Sequence, residues 1–141
     1  MNYNGYEVYT TGAEETMLLA EDFSKSVQAG DIVLLKGDLG AGKTVFSKGF
    51  AKGLGVTSEV VSPTFTIVNF YDNKLNHFDL YRINSEAELM NIGAEEMLFD
   101  DKISLVEWPE RVDRSYFGDN VWMVEIIKID NDIRKITINK G

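Results

Sequence analysis

The chain of 141 residues is long enough for one domain and short for two, and with 44% hydrophobic and 26% charged residues it can bury a core, which excludes a disordered or fibrous protein. Fourteen Lys and Arg against 23 Asp and Glu give a net charge of −9, which repels polyanions and makes nucleic acid or an anionic membrane a poor primary ligand. The absence of cysteine excludes disulfides, thiolate metal sites and cysteine nucleophiles, and the single histidine, His77, leaves little for a His-based zinc site or a Ser-His-Asp triad.

Residues 1–6 carry neither a basic n-region nor an apolar h-region, so no secretory leader is expected. No apolar run approaches the roughly 20 residues that span a bilayer, and the expectation is a cytoplasmic protein with no membrane association. Gly5 to Thr10 reads as a short strand. Thr11-Gly12-Ala13-Glu14 then has the form of a capping box, followed by a helix with Thr16, Leu19, Ala20, Phe23 and Val27 on one stripe and Gly30 at its end. Asp31 to Lys36 is a nearly unbroken branched apolar run, the pattern of a strand covered on both faces. A glycine-rich turn leads into a helix over Lys43 to Gly53, with Phe46, Phe50 and Leu54 at i, i+4 and i+8.

Val60-Val61 and Phe65 to Phe70 are apolar runs flanking Ser62-Pro63-Thr64, and Leu75 to Leu80 gives a further strand, with Asp72-Asn73-Lys74 as the hairpin turn before it. Ser85-Glu86-Ala87-Glu88 offers a second capping box for a short helix through Leu89 and Met90, broken at Gly93. Lys102 to Glu107 is another buried-type strand, and Val121 to Ile129 with Ile133 to Ile138 forms a hairpin across Asp130-Asn131-Asp132. Buried strands alternating with helices predict a single layered α/β domain over residues 1–141.

Gly37-Asp38-Leu39-Gly40-Ala41-Gly42-Lys43-Thr44 matches G-x-x-x-x-G-K-[ST] in full, with the required strand before it and helix after it. Glycines let the backbone turn inward so that several N–H groups face one set of phosphates, and the helix adds its positive dipole end. Lys43 is placed to neutralise the β and γ phosphates and the Thr44 hydroxyl to ligate Mg2+. The segment closest to a guanine-reading Asn-Lys-x-Asp is Asn73-Lys74-Leu75-Asn76, which lacks the aspartate, so ATP is favoured.

Such a loop needs an acidic group at the end of a neighbouring strand, and two are available. Glu107 ends the better apolar run and is assigned to the metal; Asp79, in His77-Phe78-Asp79-Leu80-Tyr81-Arg82, is assigned to positioning or deprotonating the attacking water. For each the alternative is a solvated strand-end charge. Ser62-Pro63-Thr64-Phe65-Thr66 is a Pro-stiffened loop with three hydroxyls that could reach the γ-phosphate or simply turn the chain. His77 reads as a packed strand histidine and stays outside the catalytic set; Trp108 is either core or a cover over the nucleotide.

Taken together, Gly37 to Thr44, Ser62 to Thr66, His77 to Arg82 and Glu107-Trp108-Pro109-Glu110-Arg111 resemble the TsaE (YjeE) family, across roughly residues 5 to 140. The resemblance implies a P-loop NTPase-like three-layer α/β/α sandwich with a central, mostly parallel, mixed sheet. It also implies slow hydrolysis of ATP to ADP in support of two partners, TsaB and TsaD, which transfer threonylcarbamoyl to the adenosine beside the anticodon of tRNAs reading ANN codons. Contact with tRNA is then indirect. Carried onto this chain, it makes Lys43 and Asp79 catalytic and Thr44 and Glu107 the metal ligands. The nucleotide is held by Gly37, Asp38, Leu39, Gly40, Ala41, Gly42, Lys43, Thr44 and Val45, with Thr64 in a switch loop and Trp108 beside the metal; Thr11, Arg111 and Arg134 are weaker matches. Phe65 replaces a tyrosine often seen in the family, and the tail that some relatives carry is not expected beyond Gly141. Two other readings compete: a non-catalytic nucleotide-binding adaptor, and a small-metabolite kinase, for which four arginines make a poor acceptor pocket.

Overall fold

The computed structural model describes residues 2–38, 40–63 and 66–141. Seven strands form one sheet in the order β1-β7-β6-β2-β5-β4-β3, from β1 (Tyr6–Thr11), β2 (Ile32–Lys36), β3 (Val68–Tyr71), β4 (Leu75–Asp79), β5 (Ile103–Glu107), β6 (Val121–Lys128) and β7 (Ile133–Lys140). The four central strands, β6, β2, β5 and β4, are parallel, and both edges are antiparallel. The β3–β4 hairpin finishes one side and the β6–β7 hairpin, with β1 added beyond it, the other, around a middle whose parallel strands need crossover connections.

Those helices make the outer layers. Val33 and Leu35 of β2, Leu105 of β5 and Trp122, Val124 and Ile126 of β6 share a core with α1 (Ala13–Ser24) and α2 (Lys43–Gly53). The intervening residues Ile32, Leu34, Val106 and Val121 share a second core with α3 (Glu86–Asn91), α4 (Ala94–Leu98), Val112 and the 3-10 turn Arg114–Phe117. Period-2 alternation in a strand covered on both sides feeds both cores at once. On the first face Phe23 sits edge-on to Trp122 at 5.3 Å and tilts against Phe46 and Phe50.

The two helices on that face approach closely because α2 presents glycines to α1. A Cβ at Gly49 would lie 2.2 Å from the Met17 carbonyl oxygen, and one at Gly53 would lie 2.4 Å from that of Glu21. Only hydrogen fits at either place.

Several boundaries differ from the sequence reading. The first capping box is displaced by one: Gly12 is the N-cap of α1, and Glu15, not Glu14, reaches back to accept the Thr11 N–H at 2.8 Å. Ser85 does cap α3 by position, but its hydroxyl makes no cap bond, and Glu88 accepts the N–H of Asn84 instead. The first helix ends at Ser24, so Val27 is buried from the following turn. The apolar run Val60-Val61 lies outside every strand; the Tyr71 hydroxyl accepts the Val61 N–H and donates to the Val61 carbonyl, which also accepts from the Asn69 side-chain amide. The turn before β4 is as expected, with Asp72 and Asn73 both at positive φ (52° and 57°), the geometry of a tight hairpin turn.

Candidate active site

Because β2, β4 and β5 run parallel, their C-terminal residues Lys36, Asp79 and Glu107 emerge at the same edge of the sheet, where open α/β sheets bind ligands. From Lys36 the chain turns through Gly37 to Gly42 into α2. A Cβ at Gly37 would stand 2.9 Å from the carbonyl oxygen of Ile126 on β6, and Gly42, the N-cap of α2, has φ 109°. A side chain at either position would push the loop off the sheet or strain its entry into the helix. No side chain caps α2, which leaves its first-turn N–H groups facing the cleft in front of the loop.

That cleft has a volume of 440 Å³ and is lined by Gly40, Gly42, Lys43, Thr44, Val45, Ser62, Asp79, Tyr81, Arg82, Glu107, Trp108 and Arg134. Lys43 is buried; its Nζ donates to the Gly37 carbonyl at 2.5 Å and lies 3.6 Å from the centre of the Trp108 ring. Burial lowers the pKa of this ammonium below the usual lysine range, and the charges of Glu107, Glu110, Asp79 and Asp38 offset part of that effect. Trp108 holds its position with a left-handed backbone, φ 57°, directly after β5. Its ring packs on Tyr81 at 4.9 Å, and the Arg111 guanidinium lies 5.1 Å from Tyr81 and 5.9 Å from Trp108.

Asp79 and Glu107 are direct register partners on neighbouring strands, and each is tied down separately. Asp79 accepts the Tyr81 N–H at 2.9 Å and the Ser62 hydroxyl at 3.1 Å. Glu107 Oε2 lies 2.6 Å from His77 Nε2 and 3.5 Å from the Ser47 hydroxyl, all three residues being buried. The carboxylates therefore face the same cleft without sharing a partner.

Of the residues singled out from the sequence, Gly40, Gly42, Lys43, Thr44, Val45, Asp79, Glu107, Trp108 and Arg134 line this cleft. Asp38 lines a separate 290 Å³ hollow with Gly37, Ala41 and Lys36 instead of the main cleft. Arg134 braces the loop: its Nε donates to the Ala41 carbonyl at 2.8 Å and its Nη2 to that of Gly40 at 3.5 Å. Arg111 is not among the cleft-lining residues and acts on the aromatic pair, and Thr11 adjoins a 220 Å³ side pocket lined by Gly12, Ala13, Thr16, Gly42, Val45, Asn131, Asp132 and Arg134. Leu39 and Thr64, with Phe65, lie outside the described residues. His77, read from the sequence as a packed strand histidine and buried as expected, and Ser47 border the site through Glu107, and Tyr81 and Arg82 line the cleft without having been assigned to it. The first two were legible only as core, whereas Tyr81 and Arg82 stood in plain view after Asp79.

The family model for the threonylcarbamoyl adenosine biosynthesis protein TsaE matches residues 10–136. The chain belongs to the TsaE family. It is 40% identical to the tRNA threonylcarbamoyladenosine biosynthesis protein TsaE of Bacillus subtilis over 91% of this chain and 81% of that one. To the protein of the same name from Synechocystis it is 42% identical over 79% and 75%. The crystal structure of Bacillus subtilis YdiB superposes with a TM-score of 0.81 at 32% identity, covering all of this chain and 89% of the other. The TsaE fold of this chain is accordingly a P-loop NTPase-like α/β/α sandwich, parallel at its centre and antiparallel at its edges. Among the described residues no helix is long and apolar enough to cross a membrane.

Proposed function

We propose that this chain is the ATPase of a tRNA threonylcarbamoyladenosine pathway, binding MgATP in the 440 Å³ cleft and hydrolysing it slowly in support of TsaB and TsaD. The observation that carries the reading is the placement of the Gly37–Thr44 loop and uncapped α2 opposite two carboxylates that end adjacent parallel strands. The triphosphate takes the first-turn N–H groups of α2 and draws Lys43 from the Gly37 carbonyl onto its β and γ oxygens. Asp79 aligns the attacking water and accepts its proton; each of its oxygens has a lone pair beyond the bonds to Tyr81 and Ser62.

The residues present suit Mg2+. Thr44 is exposed in the first turn of α2, and Glu107 Oε1 has no hydrogen-bond partner among the described residues, so both offer hard oxygen ligands of the type this ion takes beside phosphates. When bound, the ion neutralises phosphate charge. ATP is the favoured nucleotide and ADP the product; TsaB and TsaD would hold the tRNA, in keeping with the charge of −9 on this chain.

ATP hydrolysis measured for the chain alone and with TsaB and TsaD, with Lys43→Ala as the blank, tests the reading. Lys43-dependent turnover stimulated by the partners is expected. Binding without turnover in either condition would favour a nucleotide-binding adaptor, the reading to which the two protein hydrogen bonds on Asp79 lend support.

A further inference from the structure

His77 is one of the most deeply buried polar groups in the molecule, 1% exposed, and the mechanism above does not use it. It points from β4 to β5, where its register partner is Leu105. Its Nε2 meets Glu107, two residues further along, on the diagonal of the same sheet face, at 2.6 Å. The other ring nitrogen, Nδ1, is buried with no hydrogen-bond partner. A buried N–H left unpaired is rarer and costlier than an unpaired acceptor, so the ring proton belongs on Nε2 and His77 donates to Oε2 of Glu107.

The bond has two effects on the site. Glu107 is the largest source of attraction on the Lys43 ammonium, yet no ion pair forms between them; Lys43 is held by Gly37 and Glu107 by His77. Asp79, directly across the register, repels Glu107 on the same face. A carboxylate pulled towards one neighbour and pushed from another would otherwise swing. With Oε2 fixed, Oε1 alone stays open to the cleft.

We propose that His77 is a positioning residue that holds Glu107 in the one orientation that serves a nucleotide-bound divalent cation and keeps it off Lys43. The proposal rests on the MgATP reading and concerns how tightly the metal, rather than the nucleotide, is held. Its structural logic is that of an outer hydrogen bond orienting a ligand, where loss of the partner commonly costs about 10- to 100-fold in metal affinity.

The test is Mn2+ binding to the complex of the full chain with ADP, read from the electron paramagnetic resonance of free Mn2+, alongside ADP affinity without metal. His77→Leu fills the space without a donor, and His77→Gln places an amide N–H near the position of Nε2. The expected result is Mn2+ binding weakened about 10-fold or more in His77→Leu, largely restored in His77→Gln, with metal-free ADP affinity unchanged in both. Equal Mn2+ affinity in His77→Leu and the wild type overturns the proposal. If His77→Leu does not fold, His77→Asn replaces it: its shorter amide falls short of Glu107, and affinity equal to that of His77→Gln overturns the proposal as well. A wild-type chain that binds no Mn2+ with ADP defeats the MgATP reading itself, and with it the role given to His77.

Discussion

The ammonium of Lys43 is stored in a place that disfavours its charge. Burial lowers its pKa below the ordinary 10.5, so in the free protein it loses its proton at a lower pH than a surface lysine does. Phosphate binding requires the charged form. Nucleotide affinity is therefore expected to fall as pH rises through this lowered value, before pH 10.5 is reached, and a titration of ATP binding from neutral to alkaline pH checks it; affinity flat to that point would contradict the burial argument. The stability of the free chain moves the opposite way over the same window, rising with pH because the unfolded lysine then binds more protons than the folded one. Asp79→Ala is expected to leave nucleotide binding intact and lower turnover by about 10²- to 10⁴-fold, the usual range for a positioned acid or base; single-turnover hydrolysis with a parallel binding assay separates the two. That Lys43, Asp79 and Glu107 meet at one cleft was legible because each stands at or just beyond the end of a strand or at the start of a helix that the sequence shows. His77 was not, since its meaning depends on the register between β4 and β5 and on a contact with a residue 30 positions away.

At the scale of elements, the apolar strands could be read directly because their branched runs have one stable use, burial on both faces of a sheet. The helix starts were harder. Residues suited to capping stood near each start, but Gly12 took the cap of α1 and displaced the box by one residue. The α1–α2 contact was hidden for another reason: a glycine inside a helix reads as a weak point, and its use appears only when the neighbour is known. Gly49→Ala should gain up to about 1 kcal/mol in helix propensity and lose more through a clash with the backbone of Met17 at 2.2 Å, for a net destabilisation of about 1–3 kcal/mol. Thermal melting checks it; an unchanged or higher Tm would show that the helices part freely. Arg134 is an analogous case on the opposite side of the loop. Its bonds to Ala41 and Gly40 fix two carbonyls of the loop. Arg134→Ala is expected to weaken ATP binding about 10-fold, with Arg134→Lys unable to restore it because a point charge cannot bridge both carbonyls. Equilibrium binding of the two variants decides this.

Across the whole molecule, the charge of −9 fits the division of labour proposed above, in which this chain would handle nucleotide and its partners RNA. Labelled tRNA should show no saturable anisotropy change with the isolated chain at moderate salt; tight binding that weakens steeply with added salt would reveal a basic face that the composition does not suggest. The sheet order carries a consequence of a different kind. β1 is hydrogen-bonded in the sheet only to β7, so Tyr6 waits for Ile138 and Thr11 for Ile133. During synthesis the first strand emerges from the ribosome long before its template exists, and the loop that closes when they meet spans nearly the entire chain. Such distant pairing slows folding. Until then the α1–α2 pair can assemble against the central strands, but the far edge of the sheet stays open and able to recruit a strand from another nascent chain. A circular permutant that makes β1 and β7 neighbours in sequence would remove this delay, provided that Arg134 of β7 keeps its place at the cleft.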